Sequence, residues 1–158
     1  MTAPNKPQTG ACVGPDLVIT RIISAPCALV FQAWTDPRLM AQWWSPQGVE
    51  CRSVTADVRV GGTYRIHMSS ERGDHIAIGT YLQLVLNQRL QVTWQWEHYP
   101  MPDSIVTVDF EDLGKTTRLT LTHSGLPVAD DVPDHHWGWT SALDKFAGWI
   151  ARDPVHAP

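Results

Sequence analysis

The amino-acid sequence predicts an α+β domain in which a curved antiparallel sheet of six to seven strands packs around one long C-terminal helix. Apolar residues recur every three or four positions between Pro26 and Trp43, which is the period of a helix. From Val49 to His123 they recur every second position, which is the period of a half-buried strand. The helical period returns at Trp139. Strands grouped between helices, rather than alternating with them, indicate an α+β fold.

The domain is expected to span residues 16–152, between a disordered leader at 1–15 and a short tail at 153–158. The leader is rich in proline and glycine among polar residues and shows no periodicity. The β-branched run Leu17–Ile23 predicts the first strand. Pro26 suits the first turn of a helix, because its missing N–H costs nothing there. The predicted apolar face of that helix comprises Cys27, Val30, Phe31 and Trp34.

A second helix is predicted from Asp36 as N-cap and Pro37 at the first helical position, and it ends before Pro46 and Gly48. The alternating region then predicts six strands joined by short turns. Gly79 lies inside one of them and is expected to mark a bend or bulge. The strands are centred on Val49 to Val60, Tyr64 to Met68, Ile76 to Leu86, Leu90 to Trp96, Val106 to Phe110 and Leu119 to His123.

The last part of the chain predicts a loop from Gly125 to Asp134 and a final amphipathic helix. Trp139, Leu143, Phe146 and Ile150 are spaced four, three and four apart, so they share one helical face. This helix is expected to lie across the sheet.

The composition excludes several functional classes. Hydrophobic residues make up 43% of the 158, and the formal net charge is −4 with no cluster of Lys or Arg. Nucleic acid is therefore not an expected partner. No stretch approaches the ~20 apolar residues of a membrane span, and no secretion signal is recognisable. We expect a cytoplasmic protein.

No cofactor or metal is predicted. Cys12, Cys27 and Cys51 lack CxxC spacing, which favours reduced thiols over disulfides or structural zinc. His135 and His136 lie near several aspartates, but adjacent side chains at a helix start diverge by about 100°. Nucleotide-binding glycine loops and hydrolase motifs do not occur.

Eight tryptophans in 158 residues indicate where the apolar surface is concentrated. Either they fill the core between sheet and helix, or some of them line a cavity for a small molecule. Adjacent Trp43 and Trp44 are expected to divide these roles, one buried and the other capping a cavity mouth or a partner surface. The predicted ligand-binding residues are Trp43, Tyr64, Met68, Tyr81, Trp94, Trp96, Val108, Phe110, Leu121, His123, Trp139, Leu143 and Phe146.

His123 is the candidate polar group of this cavity. It shares the parity of Leu119 and Leu121, so it is expected to point inward at the end of a strand. There it could bind a ligand or act as an acid or base. The alternative is a histidine whose hydrogen bonds are satisfied within the structure.

The sequence resembles one known family through a series of motifs in the same order. The first runs from Ala25-Pro26 through Val30-Phe31-x-Ala33-Trp34-Thr35-Asp36-Pro37 to Trp43-Trp44-x-Pro46. Further matches are Gly61-Gly62, Gly79-x-Tyr81, Thr93-Trp94-x-Trp96, Thr120 to His123, and Gly138-Trp139. They resemble the START-like superfamily, in the branch of homologues of the activator of the heat-shock-chaperone ATPase, over about residues 17 to 152.

The resemblance implies a helix-grip fold of order β–α–α–β6–α, with a cavity that superfamily members use for hydrophobic molecules. The sequence departs from the family pattern at Arg38 and in the long loop from Gly125 to His136, which is expected to cover one end of the cavity. It has no room for the co-chaperone's separate N-terminal domain, so a stand-alone domain is expected.

Three functions follow as hypotheses. The first is binding of a small hydrophobic or aromatic molecule, in a stress or detoxification setting. The second is a cyclase or hydrolase of the START-like kind, with His123 as acid or base and Tyr81 as hydrogen-bond donor. The third is an interaction module, in which an exposed Trp44 and the edge of the terminal helix contact a chaperone or a second copy of the chain.

Overall fold

Seven of the nine strands form one antiparallel sheet in the computed structural model, which describes residues 12–128 and 134–152. The spatial order of the sheet is β2-β8-β7-β6-β5-β4-β3, and the two short strands β1 and β9 pair with each other. In chain order the strands are β1 Cys12–Val13, β2 Leu17–Ile23, β3 Glu50–Ala56, β4 Thr63–Ser70, β5 Gly73–Val85, β6 Arg89–Trp96, β7 Tyr99–Asp112, β8 Thr117–Ser124 and β9 Pro127–Val128.

Three helices complete the described structure: α1 Cys27–Thr35, α2 Pro37–Trp43 and α3 His135–Ala151. The Asp36 side chain accepts a hydrogen bond from the Arg38 backbone N–H at 2.9 Å and so caps α2. Asp134 caps α3 in the same way, through the backbone N–H of Trp137. The predicted α+β helix-grip architecture is confirmed.

The core lies between the concave face of the sheet and the helices. Strand β8 alternates buried and half-buried or exposed residues along its whole length, as a one-sided sheet requires. From α3, Trp139, Leu143, Phe146 and Ile150 are buried, which agrees with the predicted helical face. Helix α1 contributes Trp34 to the same core.

The predicted disordered leader at 1–15 is wrong for its last residues. Backbone pairing of β1 with β9 places Cys12 opposite Val128, so secondary structure begins four residues before Asp16. Residues 1–11 and the tail at 153–158 lie outside the described residues. So do residues 129–133 of the predicted loop, whose end at Asp134 agrees with the start of α3 at His135.

Gly79 has a different role from the predicted bulge. The register of β5 against β6 shifts between Tyr81 and Gln83, so the irregularity lies beyond the glycine. A Cβ on Gly79 would lie 2.0 Å from the carbonyl oxygen of Thr93 and 2.6 Å from the Tyr64 hydroxyl. The glycine therefore permits a close approach of Tyr64, whose hydroxyl donates to that carbonyl at 2.6 Å.

Within the described residues, no helix is both long and apolar enough to cross a membrane.

Candidate functional site

An open cleft with a volume of about 570 Å³ lies at one end of the molecule. Its walls come from the connection between α2 and β3, the β4–β5 hairpin, the end of β6 and the first turns of α3. This cleft, called the tryptophan cleft below, is lined by Trp44, Ser45, Pro46, Gln47, Gly48, Val49, Met68, Ser70, Glu71, Arg72, His75, Trp94, Trp96, Asp134, His135, Trp137, Gly138, Trp139 and Ala142.

Five indole rings dominate the walls, and four of them are in contact with one another. The centroid of Trp94 lies 5.0 Å from that of Trp139 and 5.4 Å from that of Trp96, and Trp44 lies 5.9 Å from Trp139. Trp137 stands at the lip and is 51% exposed. Such edge-to-face and tilted arrangements fix the rings in place and present a rigid apolar wall.

The β4–β5 hairpin supplies polar groups to the mouth. The Ser70 hydroxyl lies 2.8 Å from His75 Nε2, and the backbone N–H of Arg72 donates to Ser70 Oγ at 3.2 Å. Ser70 follows the buried Met68 by two residues, so it lies on the concave face. His75 is paired directly with Met68 across the hairpin and shares that face.

His135 lies on the opposite wall, in the first turn of α3. The Trp96 indole N–H donates to His135 Nε2 at 3.0 Å. The ring of His135 also meets that of His123 edge to face, with centroids 5.1 Å apart. His135 is therefore the histidine of α3 that reaches the cleft, while His136 is exposed.

His123 does not reach the cleft. It is fully buried, and Trp139 Nε1 donates to its Nδ1 at 3.0 Å. Because Nδ1 is an acceptor, the proton of the neutral ring lies on Nε2, which donates to Ser104 Oγ at 2.7 Å. Ser104 in turn donates to the Trp94 carbonyl at 2.9 Å. Burial, with a smaller effect of His135, lowers the pKa of His123 to about 3.

The predicted ligand-binding residues are divided among three environments. Met68, Trp94, Trp96 and Trp139 line the tryptophan cleft. Tyr64, Tyr81 and Val108, with Trp94 and Trp139 again, border an inner void of only about 20 Å³, which is room for about one water molecule. Neither space is lined by Trp43, Phe110, Leu121, His123, Leu143 or Phe146, all of which are core residues.

The predicted cavity between sheet and helix is therefore closed over most of its length. Trp34 fills the wedge, with ring centroids 4.7 Å from Trp43, 5.9 Å from Phe146 and 6.5 Å from Phe110. These are contact distances for aromatic rings. The open space lies instead at the end of the sheet near the start of α3.

Trp43 and Trp44 are not divided between core and surface, since both are buried, although Trp44 also lines the tryptophan cleft. Trp43 is fully buried and Trp44 is 7% exposed, and their rings are 4.9 Å apart. Trp43 Nε1 donates to the Ala33 carbonyl at 3.1 Å, which anchors it between α1 and α2. Trp44 turns toward Trp139 and becomes part of the cleft wall.

Two buried indole N–H groups, those of Trp34 and Trp94, have no hydrogen-bond partner among the described residues. Both rings border the inner void, and Trp94 also borders the cleft. An unpaired buried donor costs about 1–3 kcal/mol.

Burial also raises the pKa of Tyr81 to about 12 and that of Tyr64 well above its usual value, so both phenols are neutral at pH 7.

Several residues that line the cleft are not among the ligand-binding residues predicted from the sequence: Ser70, Arg72, His75, His135 and Trp137. A signal for Ser70 was available in the sequence, since it is a polar residue that continues the apolar face of Tyr64, Ile66 and Met68. No sequence signal distinguished His135 from His136. Among the described residues, no group of three or more His, Cys, Asp or Glu side chains is placed to hold a metal ion.

Comparison with known families matches residues 24–151 to the family described as Activator of Hsp90 ATPase homolog 1-like protein. No curated protein matches the sequence.

Solved structures that resemble the chain cover nearly all of the domain. Protein CV1439 from Chromobacterium violaceum is 28% identical, with a TM-score of 0.74 over 85% of this chain and 96% of its own. The AHSA1 protein SPO3351 from Silicibacter pomeroyi is 25% identical, with a TM-score of 0.70 over 88% and 99%. CalU16 from Micromonospora echinospora is 25% identical, with a TM-score of 0.65 over 92% and 83%.

Proposed function

Because the chain belongs to the Activator of Hsp90 ATPase homolog 1-like family of the START-like superfamily, we propose that it binds a small, uncharged hydrophobic or aromatic molecule in the tryptophan cleft. The observation that carries the proposal is the wall of five indole rings around a space of about 570 Å³. That volume is within the range of small-molecule sites, about 300–1,000 Å³. Trp137 is half exposed at the lip and would be covered by a bound molecule.

The charges around the cleft favour an uncharged ligand. Its lining contains Glu71, Arg72 and Asp134, and the Asp134 carboxylate is already engaged by the backbone N–H of Trp137. Glu71 and Arg72 are adjacent and opposite in charge, and the remaining formal charge of −1, that of Asp134, lies at the positive end of the α3 dipole, which offsets part of it. A ligand with a net charge would therefore gain little from this site, whereas apolar surface gains about 25 cal/mol per Å² removed from water.

Two glycines of α3 allow binding to be separated from folding. Gly138 lines the cleft, and a Cβ there would lie 3.9 Å from Pro46 Cγ, so a larger side chain would extend into the cleft. Gly148 is exposed, and a Cβ there would have no neighbour within 4 Å. Both positions gain helix propensity when glycine is replaced by leucine.

The test is a titration of the protein with the neutral fluorophore N-phenyl-1-naphthylamine, with probe emission and tryptophan quenching as readouts. We expect saturable binding tighter than about 1 mM, which corresponds to about 4 kcal/mol. Gly138→Leu should weaken binding at least about tenfold, and Gly148→Leu should bind as the wild type does. Circular dichroism checks that both variants are folded. Absence of saturable binding to the wild type, or equal binding by both variants, would contradict the proposal.

The enzyme hypothesis that uses His123, and the interaction module that uses an exposed Trp44, receive no support from the site. His123 is enclosed and its hydrogen bonds are satisfied, so it is not placed to meet a substrate. Of the two surfaces of the interaction module, Trp44 is buried, while contact through the edge of the terminal helix stays a prediction. A stress or detoxification setting and a cytoplasmic location stay predictions.

A further inference from the structure

We propose that Ser70 and His75 form a nucleophile–base pair at the mouth of the tryptophan cleft, and that this pair hydrolyses uncharged esters of aromatic alcohols. The inference rests on the proposed function, because the apolar part of the substrate would occupy the same cleft.

The hydrogen bond between the two side chains has the geometry of an activated serine. Ser70 Oγ lies 2.8 Å from His75 Nε2, and both residues line the cleft. A nucleophile within about 2.6–3.2 Å of a basic nitrogen is the arrangement that general-base activation requires.

The register of the hairpin holds both side chains toward the cleft. In β4, Ser70 continues the inward face of Met68, and in β5, His75 is paired with Met68. The adjacent residues Ser69 and His67 have opposite parity to Ser70 and Met68, and His67 bonds to Asp74 on the outer side. The hairpin therefore carries one serine and one histidine that face the cleft, Ser70 and His75. It also carries one of each that faces outward, Ser69 and His67.

The backbone of the turn also orients the serine. The Arg72 N–H donates to Ser70 Oγ at 3.2 Å and occupies one lone pair of that oxygen. The Ser70 hydroxyl proton is then directed to His75 Nε2, in the tautomer that carries its proton on Nδ1. Arg72 is also a lining residue of the cleft, and its side chain would supply positive charge for the anionic oxygen that forms during the reaction.

The reaction proceeds in two steps, acylation of Ser70 and hydrolysis of the acyl-enzyme. Ser70 Oγ forms a bond to the ester carbonyl carbon while its proton passes to His75 Nε2. The bond from that carbon to the alcohol oxygen breaks, and the leaving alcohol takes the proton from His75. Water then gives a proton to His75 and attacks the acyl group, the bond to Ser70 breaks, and the acid is released as Ser70 regains its proton.

The pair has no third member. Among the described residues no side chain accepts a hydrogen bond from His75 Nδ1, so nothing fixes the tautomer as the aspartate of a catalytic triad does. Removal of that aspartate lowers kcat by about 10⁴ in a serine protease. We therefore expect slow turnover and an acyl-enzyme that accumulates.

The test uses 2-naphthyl butyrate with the full-length protein. We expect a burst of naphthol, a gain of one butyryl group in intact mass, and peptide mapping of that group to Ser70. Ser70→Ala should abolish the mass gain, and His75→Ala should slow the burst about 100-fold. The matched outward variants Ser69→Ala and His67→Ala should react as the wild type does.

The binding titration with N-phenyl-1-naphthylamine distinguishes failure of this inference from failure of the proposed function. If Ser70→Ala and the wild type bind the probe alike but neither is acylated, the pair is structural and the inference is overturned while the proposed function stands. Acylation at another residue, or equal slowing by the outward variants, also overturns it. Inhibition of acylation by the probe and by Gly138→Leu supports it.

Discussion

His123 provides a direct test of the difference between a catalytic and a structural histidine. Its pKa in the folded protein is about 3, against 6.5 for an ordinary histidine, because the charged ring would be buried. The nearest titratable ring is that of His135, at 5.1 Å. Since the folded pKa is the lower one, the unfolded chain binds a proton first as the pH falls. The stability contribution of neutral His123 is present above pH 6.5 and is lost as the pH falls toward 3.

The magnitude follows from proton linkage. Each pH unit between these two pKa values is worth about 1.4 kcal/mol, so lowering the pH from 7.5 to 5.0 should cost the wild type about 2 kcal/mol through His123 alone. In His123→Asn, the side-chain oxygen can still accept from Trp139 but no group titrates. We expect that variant to lose about 2 kcal/mol at pH 7.5, because Ser104 loses its donor, and to lack this part of the pH dependence.

The assay is urea denaturation at pH 7.5, 6.5, 5.5 and 5.0, which stays above the range in which most carboxylates titrate. His98→Asn is the matched control, because the His98 side chain is 67% exposed. It should keep the wild-type dependence. If His123→Asn retained the full 2 kcal/mol loss, or if the ring protons of His123 titrated near pH 6.5 by NMR, the assignment of His123 as a buried neutral residue would be refuted.

Substitutions at three further positions test the fold. Gly79→Ala places a Cβ 2.0 Å from the carbonyl oxygen of Thr93, so it should lower the free energy of unfolding by about 3 kcal/mol in urea denaturation; a loss below 1 kcal/mol would contradict the close approach. Asp36→Ala should cost about 1 kcal/mol by thermal denaturation, whereas Asp36→Asn should be nearly neutral, because it keeps the cap on the Arg38 N–H and loses only an exposed ion pair. Trp44→Ala should cost about 3–5 kcal/mol without any change of oligomeric state in analytical ultracentrifugation; a change of association without loss of stability would restore Trp44 as an interface residue.

The fold was predictable because its signals are local. Strand parity placed Tyr64, Ile66 and Met68 on one buried face, and the structure has them there. The Asp36-Pro37 pair located the start of α2 to the residue, since capping depends only on neighbours along the chain.

The site was only partly predictable, because it depends on how much space large side chains leave. Parity correctly directed Trp94 and Trp96 inward, but it could not show that Trp34 fills the wedge beneath α3. Strand parity showed that the His123 side chain points inward, but not how deeply it is buried. The argument about Trp44 failed for a geometric reason. Successive side chains diverge by about 100° only inside a helix, and Trp44 is the C-cap of α2, with φ −76° and ψ 87°.

A missing side chain contributes to the difference between the two ends of α3. Toward its C-terminal end, the ring of Phe146 packs against that of Trp43, with centroids 4.5 Å apart. Near its start, Gly138 presents no side chain toward Pro46, and the cleft lies open there. Glycine inside a helix costs about 1 kcal/mol relative to alanine, so the gap is maintained at the expense of helix stability. The tryptophans around it are also core residues, and their replacement would change folding and binding together. Position 138 is therefore the place where occupancy of the cleft can be changed while the rest of the core stays intact.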